Sequence, residues 1–174
     1  AIYTAFLFGQ CEGRDLWQSK LMPWHMGVQA LMAGGAVWLL LWPFGPFELP
    51  LRTSFLLGAG IDLVLRWTEL SMHPSTSNGR QAAWIVRRGS ERRSWLRSMA
   101  CVALAITGPL TYEALMWRWH LRYGDVIGDV PILFAEVTGL AWLMLYALAA
   151  LVALIGLFLY ESAIIKAGQD VPNA

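Results

Sequence analysis

Residues 132–160 read ILFAEVTGLAWLMLYALAALVALIGLFLY, and Glu136 is the only residue of this run that carries a charge. A helix needs about 20 mostly apolar residues to cross the hydrocarbon layer of a membrane, so this run can span it and also tilt or protrude. Three further stretches meet the same condition, at 24–42, 51–71 and 96–116. The pattern predicts an all-α, polytopic bundle of about four transmembrane helices.

The composition supports a membrane protein and excludes several other classes. Hydrophobic residues make up 57% of the 174 residues and charged residues only 14%, whereas a soluble domain has about 25% charged residues. The net charge of +1 gives no concentrated basic face for a nucleic acid. Cys11 and Cys101 are isolated in the sequence, so they supply neither an iron–sulfur site nor a zinc site, and we expect any redox metal to lie on another chain.

The ends of the chain bear on its organisation. We treat residues 1–174 as one transmembrane domain, in which a basic loop at 73–95 connects two of the apolar stretches. The short apolar run at 1–9 has the composition of the last turns of a helix, and we interpret it as the stub of a fifth span. We therefore expect that a preceding part has been removed or is carried on a separate chain.

Positive charge is concentrated in segments that four crossings place on one side of the membrane. These segments are 10–23, the loop 73–95 and the tail after Tyr160. This face carries Arg14, Lys20, Arg80, Arg87, Arg88, Arg92, Arg93 and Lys166, together with Arg97 at the start of the next span. The other side has Arg52, Arg118 and Arg122. Because cytoplasmic loops accumulate Lys and Arg, we predict that the basic loop and the C-terminus are cytoplasmic.

The basic loop itself has two interpretations. Residues 80–95 could form a short interfacial helix in which Trp84, Ile85 and Val86 enter the lipid and the arginines meet anionic headgroups. The alternative, which we favour at this point, is a solvated connection whose arginines only set the topology.

The second predicted span contains a stripe of ionisable residues. Asp62, Arg66, Glu69 and His73 fall within an arc of about 60° on a helix. A charge near the middle of a bilayer costs roughly 2.5–3.5 kcal/mol, so the stripe should face protein or water and pair internally. We expect an i,i+4 ion pair between Asp62 and Arg66, and Glu69 can reach Arg66 and His73.

This stripe supports two hypotheses of equal weight. Asp, Glu and His exchange protons, so the four residues could form a proton or water path that leads inward from the cytoplasmic face. They could equally form a buried ladder of salt bridges that only fixes the packing of the helices.

Other polar residues give weaker signals. Glu113 and Glu136 lie near predicted helix ends and are expected to be interfacial, and Gln29, Thr107, Thr138 and Tyr146 are candidate donors between helices. His25 and His73 lie at the ends of adjacent helices, where a histidine is more often a hydrogen-bonded interfacial residue than a haem ligand.

Several segments carry a family resemblance. The chain reads YTAFLFGQ at 3–10, GRDLWQS at 13–19, LMPWH at 21–25 and VQA at 28–30, and it ends with Tyr160-Glu161 and KAGQDVP at 166–172. A Glu-x-x-x-His-Pro segment, 69–74, precedes a basic loop. These segments and the order of the four spans resemble the polysulfide-reductase membrane subunit family (NrfD/PsrC-like). The likeness covers essentially the whole chain but only the C-terminal four-helix half of the usual eight-helix protein.

The resemblance implies a function. Such a subunit binds no cofactor of its own and is not catalytic alone. It anchors an iron–sulfur (ferredoxin-like) partner beside other membrane subunits and exchanges electrons with a quinone, menaquinone or ubiquinone, in a bacterial cytoplasmic (inner) membrane. It also implies that Tyr3 corresponds to a tyrosine that hydrogen-bonds the quinone; an interfacial packing role for Tyr3 stays open. Because the family's quinone pocket is formed largely by the first helix bundle, the site would be shared with another chain or another part of the protein.

Two other functions remain open from the sequence. The chain could be a purely structural subunit that seats a larger complex in the membrane. It could also be half of a transporter assembled from repeats, because Gly- and Pro-interrupted helices with charges at mid-depth occur there.

Overall fold

The computed structural model describes residues 21–41, 48–71, 77–123 and 132–171, and the regular structure in these ranges is helical. The helices are α1 (Met22–Leu41), α2 (Glu48–Ser71), α3 (Ser77–Arg88), α4 (Arg92–Tyr123) and α5 (Ile132–Asp170). Within these ranges three segments are long and apolar enough to cross a membrane: Met22–Leu41, Arg92–Trp119 and Gly139–Asp170. The prediction of an all-α membrane protein is confirmed at this level.

The helix α2 covers the predicted span 51–71 but is not among these three segments. Its composition explains the difference, because Arg52, Asp62, Arg66 and Glu69 lower its hydropathy. The helices α4 and α5 exceed the predicted bounds, since α4 begins at Arg92 and α5 continues to Asp170.

The four long helices form a ring in which each packs against two neighbours. The packed pairs are α1 with α2, α2 with α4, α4 with α5, and α5 with α1. Neighbours run antiparallel, since His25 near the start of α1 contacts Glu69 near the end of α2, and Tyr146 early in α5 contacts Glu113 late in α4. We call the end where α1 begins and α5 finishes the basic end, because the arginines of 80–97 lie there.

Glycines allow two of these pairs to approach closely. A Cβ added at Gly58 would lie 2.9 Å from the backbone nitrogen of Met32, so α1 and α2 meet backbone to backbone. A Cβ added at Gly156 would lie 2.9 Å from Cβ of Cys101, which brings α4 against α5. Small residues at helix interfaces in membranes have this effect, because dispersion contacts there replace the hydrophobic effect.

An apolar layer fills the middle of the ring. Its buried residues come from all four long helices: Met32, Ala36, Leu39, Phe55, Ala59, Val102, Ala105, Tyr146, Ala149, Ala150 and Ala153. Outward-facing side chains are also apolar, and on α2 the exposed residues Leu57, Ile61, Val64 and Trp67 form one face. The exterior therefore suits a lipid environment.

The segment that we favoured as a solvated connection is in fact largely a packed helix. Val86 on α3 is fully buried, and α3 packs against the last turns of α5. Together Ala82, Val86, Trp95, Tyr160, Ile164, Ala167 and Val171 form a second apolar cluster. The helix α3 ends at Arg88, and a turn at Gly89–Glu91 leads directly into α4, so the alternative of one helix over 80–95 is also wrong in its bounds. The reason is that Trp95 belongs to α4 and is itself buried in this cluster.

The Gly58 contact makes a testable prediction. Replacing Gly58 with Ala pushes a methyl group into the backbone of α1 and should lower the stability of the detergent-solubilised protein by about 1–3 kcal/mol, the usual cost of overpacking. Gly60→Ala is the matched control on the same helix, because nothing lies within 4 Å of the added Cβ. Thermal unfolding followed by circular dichroism checks this, and equal melting temperatures for the two variants would contradict the close approach.

Candidate functional site

The inward face of α2 carries three buried ionisable side chains. Asp62 and Arg66 are fully buried, and Glu69 is 8% exposed. Arg66 Nη2 lies 2.7 Å from Asp62 Oδ2, so the expected i,i+4 ion pair is present. Glu69, in contrast, contacts side chains of other helices and not Arg66. The helical spacing of 62, 66 and 69 puts all three toward the interior because the opposite face of α2 is apolar.

His25 from α1 joins the two carboxylates of α2. Its Nε2 lies 3.0 Å from Asp62 Oδ1, and its Nδ1 lies 3.1 Å from Glu69 Oε2. The side-chain amide of Gln29, one turn later on α1, is 3.1 Å from the same Nε2. A ring with both nitrogens facing carboxylate oxygens matches the geometry of an imidazolium, which donates from both nitrogens. This protonation state requires the Gln29 amide to present its oxygen, and not its nitrogen, to Nε2.

Tyr160 from α5 closes the group. Its hydroxyl donates to Glu69 Oε2 and lies 3.2 Å from His25 Nδ1. The guanidinium of Arg66 lies over the Tyr160 ring at 4.3 Å and donates from Nη1 to the backbone carbonyl of Gly156. Because Gly156 has no Cβ, α4 can pack closely against this turn of α5. We call His25, Gln29, Asp62, Arg66, Glu69 and Tyr160 the polar cluster.

The charges in the polar cluster balance when His25 carries a proton. Asp62 and Glu69 then supply two negative charges, and His25 and Arg66 supply two positive ones. Isolated charges are very costly to bury, whereas a neutral, hydrogen-bonded set is tolerated. Four buried polar atoms of the cluster form no hydrogen bond to the residues that the structure describes. Asp62 Oδ2 and Arg66 Nη2 face each other as an ion pair, whereas Arg66 Nε and Glu69 Oε1 have no such partner.

A small pocket leads to the polar cluster from between α1 and α5. Its volume is about 20 Å³, and its polar lining is His25, Gln29, Tyr160 and Glu161. Met22, Met26, Ile164 and Ile165 complete the wall. This volume accommodates about one water molecule, which needs two to four polar partners of the kind present here. Glu161 is only partly buried, so it connects the pocket with the surroundings of the basic end.

The sequence identified part of this cluster and missed the rest. The structure brings together Asp62, Arg66 and Glu69, whereas His73 and Tyr3 lie outside the described residues. His25 was expected at an interface and is instead 2% exposed in the centre of the cluster. A count of the charges could have indicated a further residue. Asp62 and Glu69 carry two negative charges and Arg66 carries one positive charge, so a second cation is needed to balance them. The position of Tyr160 had no such signal in the sequence.

A second polar group lies at the opposite end of the ring. Tyr146 donates to Glu113, and Arg52 Nη1 lies 3.5 Å from Glu113 Oε1. The Arg52 guanidinium also lies 4.3 Å from the centre of the Trp142 ring. The prediction that Tyr146 donates between helices is confirmed, and the Glu113 side chain, 40% exposed, has the partial exposure of an interfacial residue.

Other expected donors behave differently. Thr107 was a candidate donor between helices, but it donates to the carbonyl of Ala103 in its own helix, which is the usual alternative for a threonine that faces outward. The side chains of Thr138 and Glu136 fall outside the part that the structure describes.

No group of three His, Cys, Asp or Glu residues in the described ranges could hold a metal ion. Comparisons of the chain with protein-family models, with curated proteins and with solved structures found no match. Functional inference for this protein therefore depends on its own residues and on their arrangement.

The ion pair in the polar cluster gives the second prediction. Arg66→Met removes the guanidinium that faces Asp62 and leaves this buried carboxylate with its His25 contact but without a permanently charged cation, so it should destabilise the protein by about 3–5 kcal/mol. The double variant Asp62→Leu/Arg66→Met should lose less stability, because no carboxylate then faces the position of the missing guanidinium. Arg97→Met, at an exposed arginine of the basic end, is the control. Melting temperatures in detergent test this, and a double variant less stable than Arg66→Met would contradict it.

Proposed function

We propose that this chain is an integral membrane subunit of a multi-subunit, quinone-linked oxidoreductase complex, and that its polar cluster handles protons for that complex. The proton-handling role rests on a single observation. A hydrogen-bonded set lies buried between helices that can span a membrane, and its members are His25, Asp62, Glu69 and Tyr160. The first part is supported by the sequence segments at both ends of the chain. In this proposal the chain is not catalytic alone and anchors an iron–sulfur subunit.

The proposal includes four spans, with α2 as the fourth. A helix of 24 residues is about 36 Å long, enough to cross the hydrocarbon layer. Its exposed face is apolar, and Asp62, Arg66 and Glu69 point to the inside of the ring. An ionisable residue in a span is tolerated when it faces the bundle and pairs there, so a low mean hydropathy does not exclude α2 from the membrane. The neighbours of α2 in the ring, α1 and α4, both contain candidate spans.

The proposed proton route enters at the basic end. Glu161 and the pocket lined by Gln29 and His25 give water access to the cluster. From there the contacts run from His25 to Asp62 and from His25 and Tyr160 to Glu69. Each of these groups except Gln29 can gain or lose a proton, whereas Arg66 keeps its charge and balances Asp62.

The apolar layer limits this route to one side. Asp62 and Arg52 are separated by about 15 Å along α2, and buried apolar residues of all four long helices fill the ring at that depth. No described polar side chain of the ring interior bridges this layer between the two polar groups. The cluster therefore takes up or releases protons at the basic end and does not by itself conduct them across the membrane.

The remaining parts of the proposal follow from the sequence. The basic end and the C-terminus face the cytoplasm of a bacterial cell, because arginine is concentrated there. A quinone, menaquinone or ubiquinone, binds at a site shared with other parts of the complex, with Tyr3 as the residue of this chain that contacts it. Proton uptake at the basic end would then accompany quinone reduction by the iron–sulfur partner.

A purely structural role is the second candidate function, and the polar cluster supports this role as well. His25, Glu69 and Tyr160 link α1, α2 and α5, and Arg66 reaches the backbone of α5 at Gly156. Such a network can determine which helices pack together without any proton transfer. The two roles differ in what conservative replacements do to activity.

The decisive test uses conservative variants in the intact complex. Asp62→Asn, Glu69→Gln and Tyr160→Phe should each lower quinone-linked turnover, by up to about 10²-fold where the group is an obligatory proton carrier. Glu113→Gln is the matched control, because it changes a carboxylate that also accepts from a tyrosine but lies at the opposite end. Turnover is measured in membrane vesicles with a water-soluble quinone analogue as the electron acceptor, and assembly is checked by copurification.

The outcomes separate the candidates. Copurification with iron–sulfur subunits, a quinone response and slow Asp62 and Glu69 variants would support the whole proposal. Full turnover of an assembled complex that carries Asp62→Asn and Glu69→Gln would assign the polar cluster to packing. An assembled complex that does not respond to quinone would leave this chain a structural subunit.

A further inference from the structure

The corner between α3 and α4 forms an open, basic pocket that the proposed function does not use. Its volume is about 550 Å³, and it is lined by Arg88, Gly89, Ser90, Arg92, Arg93 and Leu96. Sites for small molecules typically have roughly 300–1,000 Å³. The three arginines are exposed, and none of the ion pairs found among the described residues includes them.

The geometry of the turn creates this pocket. The N–H of Gly89 donates to the carbonyls of Trp84 and Ile85, which ends α3, and the N–H of Trp95 donates to the carbonyl of Glu91, which starts α4. A Cβ on Gly89 would lie 2.8 Å from Cα of Ile85, so the tight turn needs a glycine. The turn thus brings an arginine from the end of α3 beside two from the first turn of α4.

The charge at this corner is strongly positive. Residues 87–97 contain five arginines and one glutamate, Glu91, which is half-buried at the start of α4. The first amides of a helix also favour an anion, because they have no partner within the helix. Arg forms paired hydrogen bonds with phosphate oxygens, so the chemistry of this pocket suits a phosphate group.

The pocket also lies at the right level for a lipid headgroup. Trp24, Trp67 and Trp84 are exposed on three helices at the basic end, and exposed indoles mark the boundary between headgroups and hydrocarbon. Below the arginines, Leu96, Ala100 and Leu104 are exposed in consecutive turns of α4. They form an apolar track about 12 Å long, which an acyl chain can follow.

We propose that this pocket binds the headgroup of an anionic phospholipid, with the phosphate held by Arg88, Arg92 and Arg93 and an acyl chain lying along Leu96, Ala100 and Leu104. The arginines supply charge and paired donors, and the track supplies apolar surface. The proposal depends on the membrane location of the chain and not on its role in quinone chemistry.

Native mass spectrometry of the delipidated protein, with any subunits that copurify, tests the proposal. Phosphatidylglycerol should bind at least about fivefold more tightly than phosphatidylcholine, and inorganic phosphate at equal concentration should not displace it. Arg92→Gln/Arg93→Gln should weaken phosphatidylglycerol binding about fivefold for each arginine removed, since one basic side chain near an anionic surface contributes about 1 kcal/mol.

Arg87→Gln/Arg97→Gln is the matched control, because it removes the same charge at the same end but from outside the pocket. The affinity of this control variant for phosphatidylglycerol should stay within about twofold of that of the original protein. If both double variants weaken lipid binding equally, the lipid is attracted by general surface charge, and the pocket is rejected as its binding site. Displacement by inorganic phosphate would show that a soluble phosphate is the ligand, and equal binding of the two lipids would also reject the proposal.

Discussion

Charged side chains inside a lipid-facing bundle must be neutralised by other side chains of the same bundle, and the basic half of this molecule is built around that requirement. Asp62 and Glu69 are buried with Arg66 on one helix, and His25 from another helix balances the remaining charge when it is protonated. Burying an unpaired carboxylate would cost several kcal/mol, which is a large part of the stability of a domain. The position of α1 against α2 therefore depends on electrostatics as well as on shape.

Close packing makes this arrangement possible. Glycines at 58 and 156 let helix pairs approach until side chains on different helices can share hydrogen bonds. The same approach seals the middle of the ring with apolar residues, so the polar groups at the two ends are separated. In the proposed function the polar cluster exchanges protons at the basic end, and the apolar layer separates it from the polar group at the other end.

The two ends also differ in their surroundings. At the basic end, α3 packs across the last turns of α5 and continues through a tight turn into α4, which groups arginines near exposed tryptophans. At the other end, Arg52, Glu113 and Tyr146 form a smaller, more exposed group. Ion pairs that remain partly exposed contribute little to stability, so this group matters mainly for the local orientation of α2, α4 and α5.

The amino-acid sequence by itself determined the class of the protein, the places of the long helices and the inward stripe of Asp62, Arg66 and Glu69. These properties follow from local rules, because hydrophobic length and helical period depend only on neighbouring residues. Only the tertiary structure decided that His25 and Tyr160 complete the cluster, that Glu69 faces them and not Arg66, and that α3 is packed. Those facts depend on which helices are neighbours and on their register, and contacts between residues as far apart as His25 and Tyr160 leave no local pattern.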